Sequence, residues 1–483
     1  MALNVSNSSP SSMKPPEQHR YRRWLWLALG MAGIATISAT AGALLAVSMS
    51  STPLAQRQLT PEEAKVFNQG TMSSSDLNLP TLTRPVNILV LGTKVLASDV
   101  ANPPSDAQNL SYDPTINSLE GLSDTMLLLR FDPANQQLTA LSIPRDTRTL
   151  VEGRLTKINE ANAVGGPASA AKAVSDLLGG IGIDRYVRIN VLGVGKLIDA
   201  LGGVTTYVPQ DMKYQDDTQH LYINLKQGEQ HLNGDQALQL LRFRYDQNGD
   251  IGRIQRQQML MRSLMEQTLK PTTIANLPQI LSIVQSHIDT NLSVEELVAL
   301  AGFAAKTDRA KVQMLMIPGD FNSDGQFETS YWLPDPDRIT TLVSRYFGIA
   351  APDYTSDAQP VVRVVLQDST GQPEIAEKAT QRLGANGYSN AFVDNPWSQP
   401  LDKTRIIAQQ GNTEVAEAIH QVLGFGEVLT ESTGILESDV TIRLGKDALP
   451  ILQPEASPLA SPAVPSPASG EAAIPSPLPV DVN

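Results

Sequence analysis

"DTMLLLRFDPANQQLTALSIPRDTR", Asp124 to Arg148, carries two short apolar runs, TMLLLRF and LTALSIP, with charged residues at their outer ends. Runs this short and this apolar read as β-strands buried on both faces. Asp124 stands immediately before the first run. Arg145 and Asp146 follow the second, where Pro144 stops the strand. Loops at strand ends are the usual address of sites in α/β folds. A carboxylate there can hold a hard metal ion, or it can simply cap a turn. The Arg145–Asp146 dipeptide allows the same two readings, a site or a buried ion pair.

Working outward, strand and helix patterns alternate. VNILVLG (Val86–Gly92) is another buried-type strand. ASAAKAVSDLLGG reads as a helix stopped by glycine. YVRINV, VGKLIDALGG and VTTYVP continue as strand, helix and strand, and SLMEQTLK and LSVEELVALAGFA close the region as helices near Gly348. The alternation predicts an α/β unit with helices covering a central sheet. A second set begins at VVRVVLQDS (Val361–Ser369) and runs PEIAEKATQRLG, NAFVD, TRIIAQ, TEVAEAIHQVLG and DVTIRLG, a small βαββαβ module. Beyond Leu449 nine prolines and no basic residue fill the last 34 positions, a composition unable to bury a core.

Near the start, Trp24–Met49 contains no charged residue and exceeds the ~20 residues that cross a hydrocarbon core as a helix. A cleaved signal peptide would carry a shorter apolar stretch, of ~7–15 residues. Lys14, Arg20, Arg22 and Arg23 precede the run and only Arg57 follows closely, which predicts a cytoplasmic N-terminus and domains outside. Trp24 and Trp26 sit where an interfacial aromatic belt belongs.

Composition narrows the chemistry. The 483 residues include no cysteine, so thiolate nucleophiles, disulfides and zinc–thiolate sites are excluded. Five histidines are scattered without metal-ligand spacing. A net charge of −13 argues against nucleic acid as a partner. GVGKL (Gly193–Leu197) lacks the first glycine and the Ser/Thr of a phosphate-binding loop. GLSDT (Gly121–Thr125) lacks the last glycine of a nucleophile elbow.

Against that acidity, LRFRYDQNGDIGRIQRQQ (Leu241–Gln258) collects Arg242, Arg244, Arg253 and Arg256. Arg242 and Arg244 share a face only on an extended backbone. Arg253 and Arg256 share one face of a helix. A strand and a helix joined at Asn248–Gly249 would aim several guanidiniums at one phosphate-bearing ligand. The competing reading is a set of surface charges balanced by Asp246 and Asp250.

The succession NILVLG…LSDT…SIPRDTR…KINEANAVGG…IDALGGV…LNGDQALQLLRFR…DIGRIQRQQ resembles the LytR–CpsA–Psr family of bacterial envelope enzymes over about residues 84–345. The second module resembles the LytR C-terminal domain. The resemblance implies a three-layer α/β/α sandwich around a mixed sheet, anchored in the plasma membrane, that moves a glycopolymer from a polyprenyl-pyrophosphate carrier to peptidoglycan. It implies Asp124 as a magnesium ligand, with Arg145, Arg242 and Arg244 at the reacting phosphates. Arg256, Gln257, Arg253 and Lys94 would contact the substrate. Two departures matter: members commonly carry G-x-D-x-R after the first strand, where GTKVL here offers Lys94 and Leu96, and the arginine usual before S-D-T is Leu122. Asp99, Asp106 and Asp113 in the following loop are the available replacements, and weak magnesium dependence is expected. The altered motif also leaves room for a non-catalytic protein that retains polyprenyl-linked glycans.

The expected organisation is a cytoplasmic N-terminus over 1–23, a transmembrane helix over 24–49, a linker over 50–83, the LytR–CpsA–Psr unit over 84–348, the LytR C-terminal domain over 358–448 and a Pro-rich disordered tail over 449–483.

Overall fold

The computed structural model describes residues 57–453 apart from 75–79, 94–118, 120, 217–220, 244–248, 269–279, 281–286, 305, 309–310, 324, 350–361, 410 and 436–437. The expected membrane span, Lys94, the acidic loop residues Asp99, Asp106 and Asp113, Arg244 and the tail beyond Gln453 lie outside the described residues, as does the side chain of Arg253. Among the described residues no helix is long and apolar enough to cross a membrane.

Six strands build the central sheet: β1 (Val86–Thr93), β2 (Ser123–Asp132), β3 (Gln137–Ile143), β4 (Arg185–Asn190), β5 (Ile288–Thr290) and β6 (Val312–Met316), in the order β5-β4-β1-β2-β3-β6. The sheet is mixed. β2 runs antiparallel to both β1 and β3, while β4 is parallel to β1 and β6 is parallel to β3. Side chains alternate between two buried faces. Leu89, Leu91, Met126, Leu128, Leu141 and Ile143 pack under helices α1 (Glu160–Leu177) and α5 (Pro336–Phe347). On the opposite face, α3 (Gly249–Thr268) places Met261 and Met265 against Leu127 and Ala140. There α4 (Val294–Ala304) sets Phe303 edge-on to Phe131, 5.6 Å between ring centres. With both faces covered, an alternating polar pattern has no place in these strands, which is why they read as continuous apolar runs.

Helix α1 begins earlier than its sequence suggests. Gly165 and Gly166, the latter at φ +67°, break it just before Pro167, and the expected Ala168–Gly180 helix is its second half. The expected glycine stop is present: Gly180 donates its N–H to the Ser175 carbonyl at φ +88°. A small lobe adds the Val191–Ala200 helix, a Met212–Asp216/Leu221–Leu225 hairpin, the antiparallel pair Val204–Val208/Gly228–Leu232 that flanks it in sequence, and α2 (Gly234–Arg242). Gly234 is there for packing, since a Cβ on it would sit 2.2 Å from the carbonyl oxygen of Gly195 in the GVGKL stretch.

Two boundaries differ from expectation. Within the expected linker, Thr60 and Glu63 form a capping box on the Pro61–Ala64 helix, Phe67 packs on Tyr186 and Met72 is fully buried. These anchors are too widely spaced in a polar stretch to leave a periodic signal. At the other end the tail begins later, because Leu449–Leu452 form a last helical turn that buries Leu452.

The C-terminal unit holds β7 (Val364–Asp368), β8 (Ala391–Val393), β9 (Arg405–Ala408), β10 (Glu427–Leu429) and β11 (Val440–Leu444), ordered β8-β7-β11-β9-β10. Helices α6 (Pro373–Ala385) and α7 (Thr413–Leu423) cover one face with Ile375, Leu383, Ile419 and Leu423. Strand β10 extends the expected βαββαβ pattern; three residues long, it leaves little trace in sequence. The two units touch. Tyr346 Oη donates to the Gly411 carbonyl at 2.6 Å, and Arg338 pairs with Asp439.

Candidate active site

Strand register builds the site. Met126 pairs with Ile143 in the β2–β3 ladder, so two steps beyond the paired region Asp124 faces Arg145. Arg145 Nη1 donates to Asp124 Oδ1 at 2.7 Å, and Arg145 Nε donates to Asp146 Oδ2 at 3.3 Å. The other oxygen of Asp146 lies 2.8 Å from Lys157 Nζ. Two carboxylates and two cations therefore alternate along the ends of the strands. Backbone contacts fix the loop: Thr147 turns back onto the Pro144 carbonyl, and the Asp146 carbonyl accepts from Trp332 N–H at 3.0 Å.

Asp124, Arg145, Asp146, Gln257, Phe321 and Trp332 line a narrow cleft. Thr125, Ser142 and Gln257 are shared with a second, largely apolar cavity. An arginine-bearing rim beside an apolar chamber can hold a molecule with an anionic head and a hydrocarbon body.

Of the four arginines of Leu241–Gln258, Arg242 and Arg256 have described side chains. Arg242 is helical, not extended; it is the last residue of α2, exposed, and the chain becomes extended only at Phe243. The run Gly234–Arg242 holds good helix formers behind an Asn233–Gln236 capping box, and this outweighs the strand reading. Arg256 is buried at 3% exposure, and its Nη2 donates to the Phe243 carbonyl. That carbonyl follows the end of α2, where acceptors lack helical partners. The residue of this stretch that does line the cleft is Gln257.

The structure thus gathers Asp124, Arg145 and Gln257, and it adds Asp146 and Lys157 to the same charged row. Lys157 was legible only as part of the KINEAN string. Trp332 and Phe321 had no sequence signal at all.

Residues 48–346 match the profile of the LytR_cpsA_psr family. The chain belongs to this family. A second profile, "LytR cell envelope-related transcriptional attenuator", matches residues 361–447 of this LytR–CpsA–Psr protein. Among curated relatives, the polyisoprenyl-teichoic acid–peptidoglycan teichoic acid transferase TagV of Bacillus subtilis is 34% identical over 226 residues, 45% of this chain and 56% of that one. The transferase of the same description named TagU, from Bacillus cereus, is 30% identical over 219 residues, 45% of this chain and 69% of that one. The match thus spans little more than half the length of TagV. The crystal structure of B. subtilis TagV aligns with 28% identity and a TM-score of 0.45, covering 55% of this chain and 98% of that one.

The magnesium expected for this LytR–CpsA–Psr chain can be tested against its donors. Among the described residues no three carboxylates or imidazoles cluster. Asp124 is already paired with Arg145, and both oxygens of Asp146 face cations. Magnesium prefers a near-octahedral oxygen shell, and these described residues do not supply one by themselves.

Proposed function

We propose that this chain is a membrane-anchored phosphotransferase. It moves a glycopolymer from a polyprenyl-pyrophosphate carrier to peptidoglycan and forms a phosphodiester link. The observation that carries the reading is the Asp124–Arg145–Asp146–Lys157 row beside an apolar cavity, one place for a pyrophosphate and one for its hydrocarbon. The printed names of the relatives support the same substrate class.

In the reaction an acceptor hydroxyl oxygen attacks the glycan-bearing phosphorus. The P–O bond to the second phosphate breaks, polyprenyl phosphate leaves and the hydroxyl proton is lost. Arg145 stabilises charge that grows on the phosphoryl and leaving oxygens, the dominant contribution in such transfers. Asp146 orients Arg145 and Lys157, and Arg242 and Arg244 supply further positive charge from the segment that Arg256 holds in place. In this reading Arg253 and Lys94 also contact the substrate, Gln257 contacts it between the two cavities, and Trp24–Met49 anchors the chain with both domains outside the cytoplasm.

The test is the full-length protein given a polyprenyl-pyrophosphate glycan and peptidoglycan. Transfer of glycan with release of polyprenyl phosphate is expected. Saturable binding with no release overturns the reading in favour of a glycan-retaining protein.

A further inference from the structure

Residues 430–435 leave β10 and cross from the C-terminal unit onto the catalytic unit. Met314 N–H of edge strand β6 donates to the Thr430 carbonyl at 3.0 Å. Arg262 of α3 pairs with Glu431, and Gln255 Nε2 donates to the Gly434 carbonyl at 3.2 Å. The crossing is also held from its own side. The Gln409 amide bridges the Ser432 carbonyl at 3.2 Å and the Gly434 N–H at 2.9 Å. Arg443, 2% exposed, donates from Nη2 to the Thr433 carbonyl while its guanidinium lies 3.5 Å from the Trp397 ring centre. A guanidinium is costly to bury, and here it fixes the backbone of this strap.

The strap lies over the apolar cavity. Leu127, Met261 and Met314 come from the catalytic unit, and Ser432 and Thr433 of the strap line the same space. Gln258 lines it too. It is 6% exposed, and among the described residues neither atom of its amide has a hydrogen-bond partner. A space lined mostly by apolar side chains suits a ligand that is apolar along most of its length. The cavity adjoins the charged cleft through Thr125, Ser142 and Gln257, so the matching occupant is an isoprenyl chain with its phosphate head at Arg145. This step rests on the proposed function.

We infer that the C-terminal unit forms a wall of the isoprenoid chamber, with Ser432 and Thr433 in contact with the chain and the strap setting which chains enter. The second unit is then part of the substrate site and not an appendage to it.

The test uses full-length protein in detergent, titrated with a long-chain polyprenyl pyrophosphate and separately with inorganic pyrophosphate. Thr433→Trp places an indole at the wall. It should weaken long-chain binding at least about tenfold and leave the affinity for inorganic pyrophosphate unchanged. A diazirine on the isoprenoid chain should label the peptide containing Ser432 and Thr433 in the wild-type protein, which decides the matter whether or not the tryptophan variant folds. Unchanged long-chain affinity in a folded Thr433→Trp protein overturns the inference, and so does labelling confined to the catalytic unit. A wild-type protein that binds no prenyl pyrophosphate overturns the proposed function itself.

Discussion

Arg145 Nη1 and Asp124 Oδ1 lie 2.7 Å apart because antiparallel β2 and β3 bring residues twenty-one positions apart in sequence face to face. The side chains are 19% and 29% exposed, so the pair is partly solvated. Its contribution to stability is therefore modest, roughly 1 kcal/mol. Arg145→Ala should leave the melting temperature nearly unchanged and lower transfer by about 10²–10³-fold, the usual loss for one charge-stabilising donor. Thermal unfolding and a transfer assay on the same preparation measure both. A melting temperature that falls steeply with activity would make the pair an architectural element.

Arg242 and Arg256 should separate. Arg256→Ala removes the donor to the Phe243 carbonyl and opens a hole beneath the α2–α3 connection, at a cost of about 1–3 kcal/mol. Arg242 is exposed at the end of α2, and Arg242→Ala should change stability by less than about 0.5 kcal/mol. If Arg242 meets the substrate phosphates, its loss nonetheless weakens binding by roughly 2–5 kcal/mol. Denaturant melts and pyrophosphate titrations of the two variants decide this. Normal binding in folded Arg242→Ala would return that arginine to the surface charges.

The sheet and its covering helices were legible because burial on both faces leaves long apolar runs, as in Val86–Gly92 and Thr125–Phe131. The polar ends of those runs marked Asp124 and Arg145 for the same reason. What escaped reading was set by contacts distant in sequence. Whether Arg256 points to ligand or to backbone depends on where α2 ends, and spacing alone does not carry that. Phe67 and Met72 are single anchors without a period. Thr433 reaches the cavity only because two separately folded units meet.

The charge asymmetry around Trp24–Met49 predicts that Arg20, Arg22 and Arg23 lie in the cytoplasm. Protease added to intact spheroplasts should therefore digest the units after residue 50 and leave a short membrane-protected N-terminal fragment. An epitope tag at each end reads the outcome by immunoblot. Full protection of the C-terminal tag would contradict both this topology and a wall-linked acceptor.

Lys94 follows β1 directly in the stretch GTKVL and stands where the family's G-x-D-x-R motif carries its metal-binding aspartate. An ammonium near Asp124 and a pyrophosphate would repel a divalent ion and could neutralise a phosphate oxygen itself. Asp124 is held by Arg145, and among the described residues it belongs to no cluster of three metal-ligating side chains. Wild-type protein should bind magnesium weakly and lose little activity in chelator, whereas Lys94→Asp should bind it more tightly. Calorimetric titration of both proteins, with transfer measured alongside, checks this. Tight magnesium binding by the wild type would mean that Asp99, Asp106 or Asp113 completes the shell and that Lys94 points elsewhere.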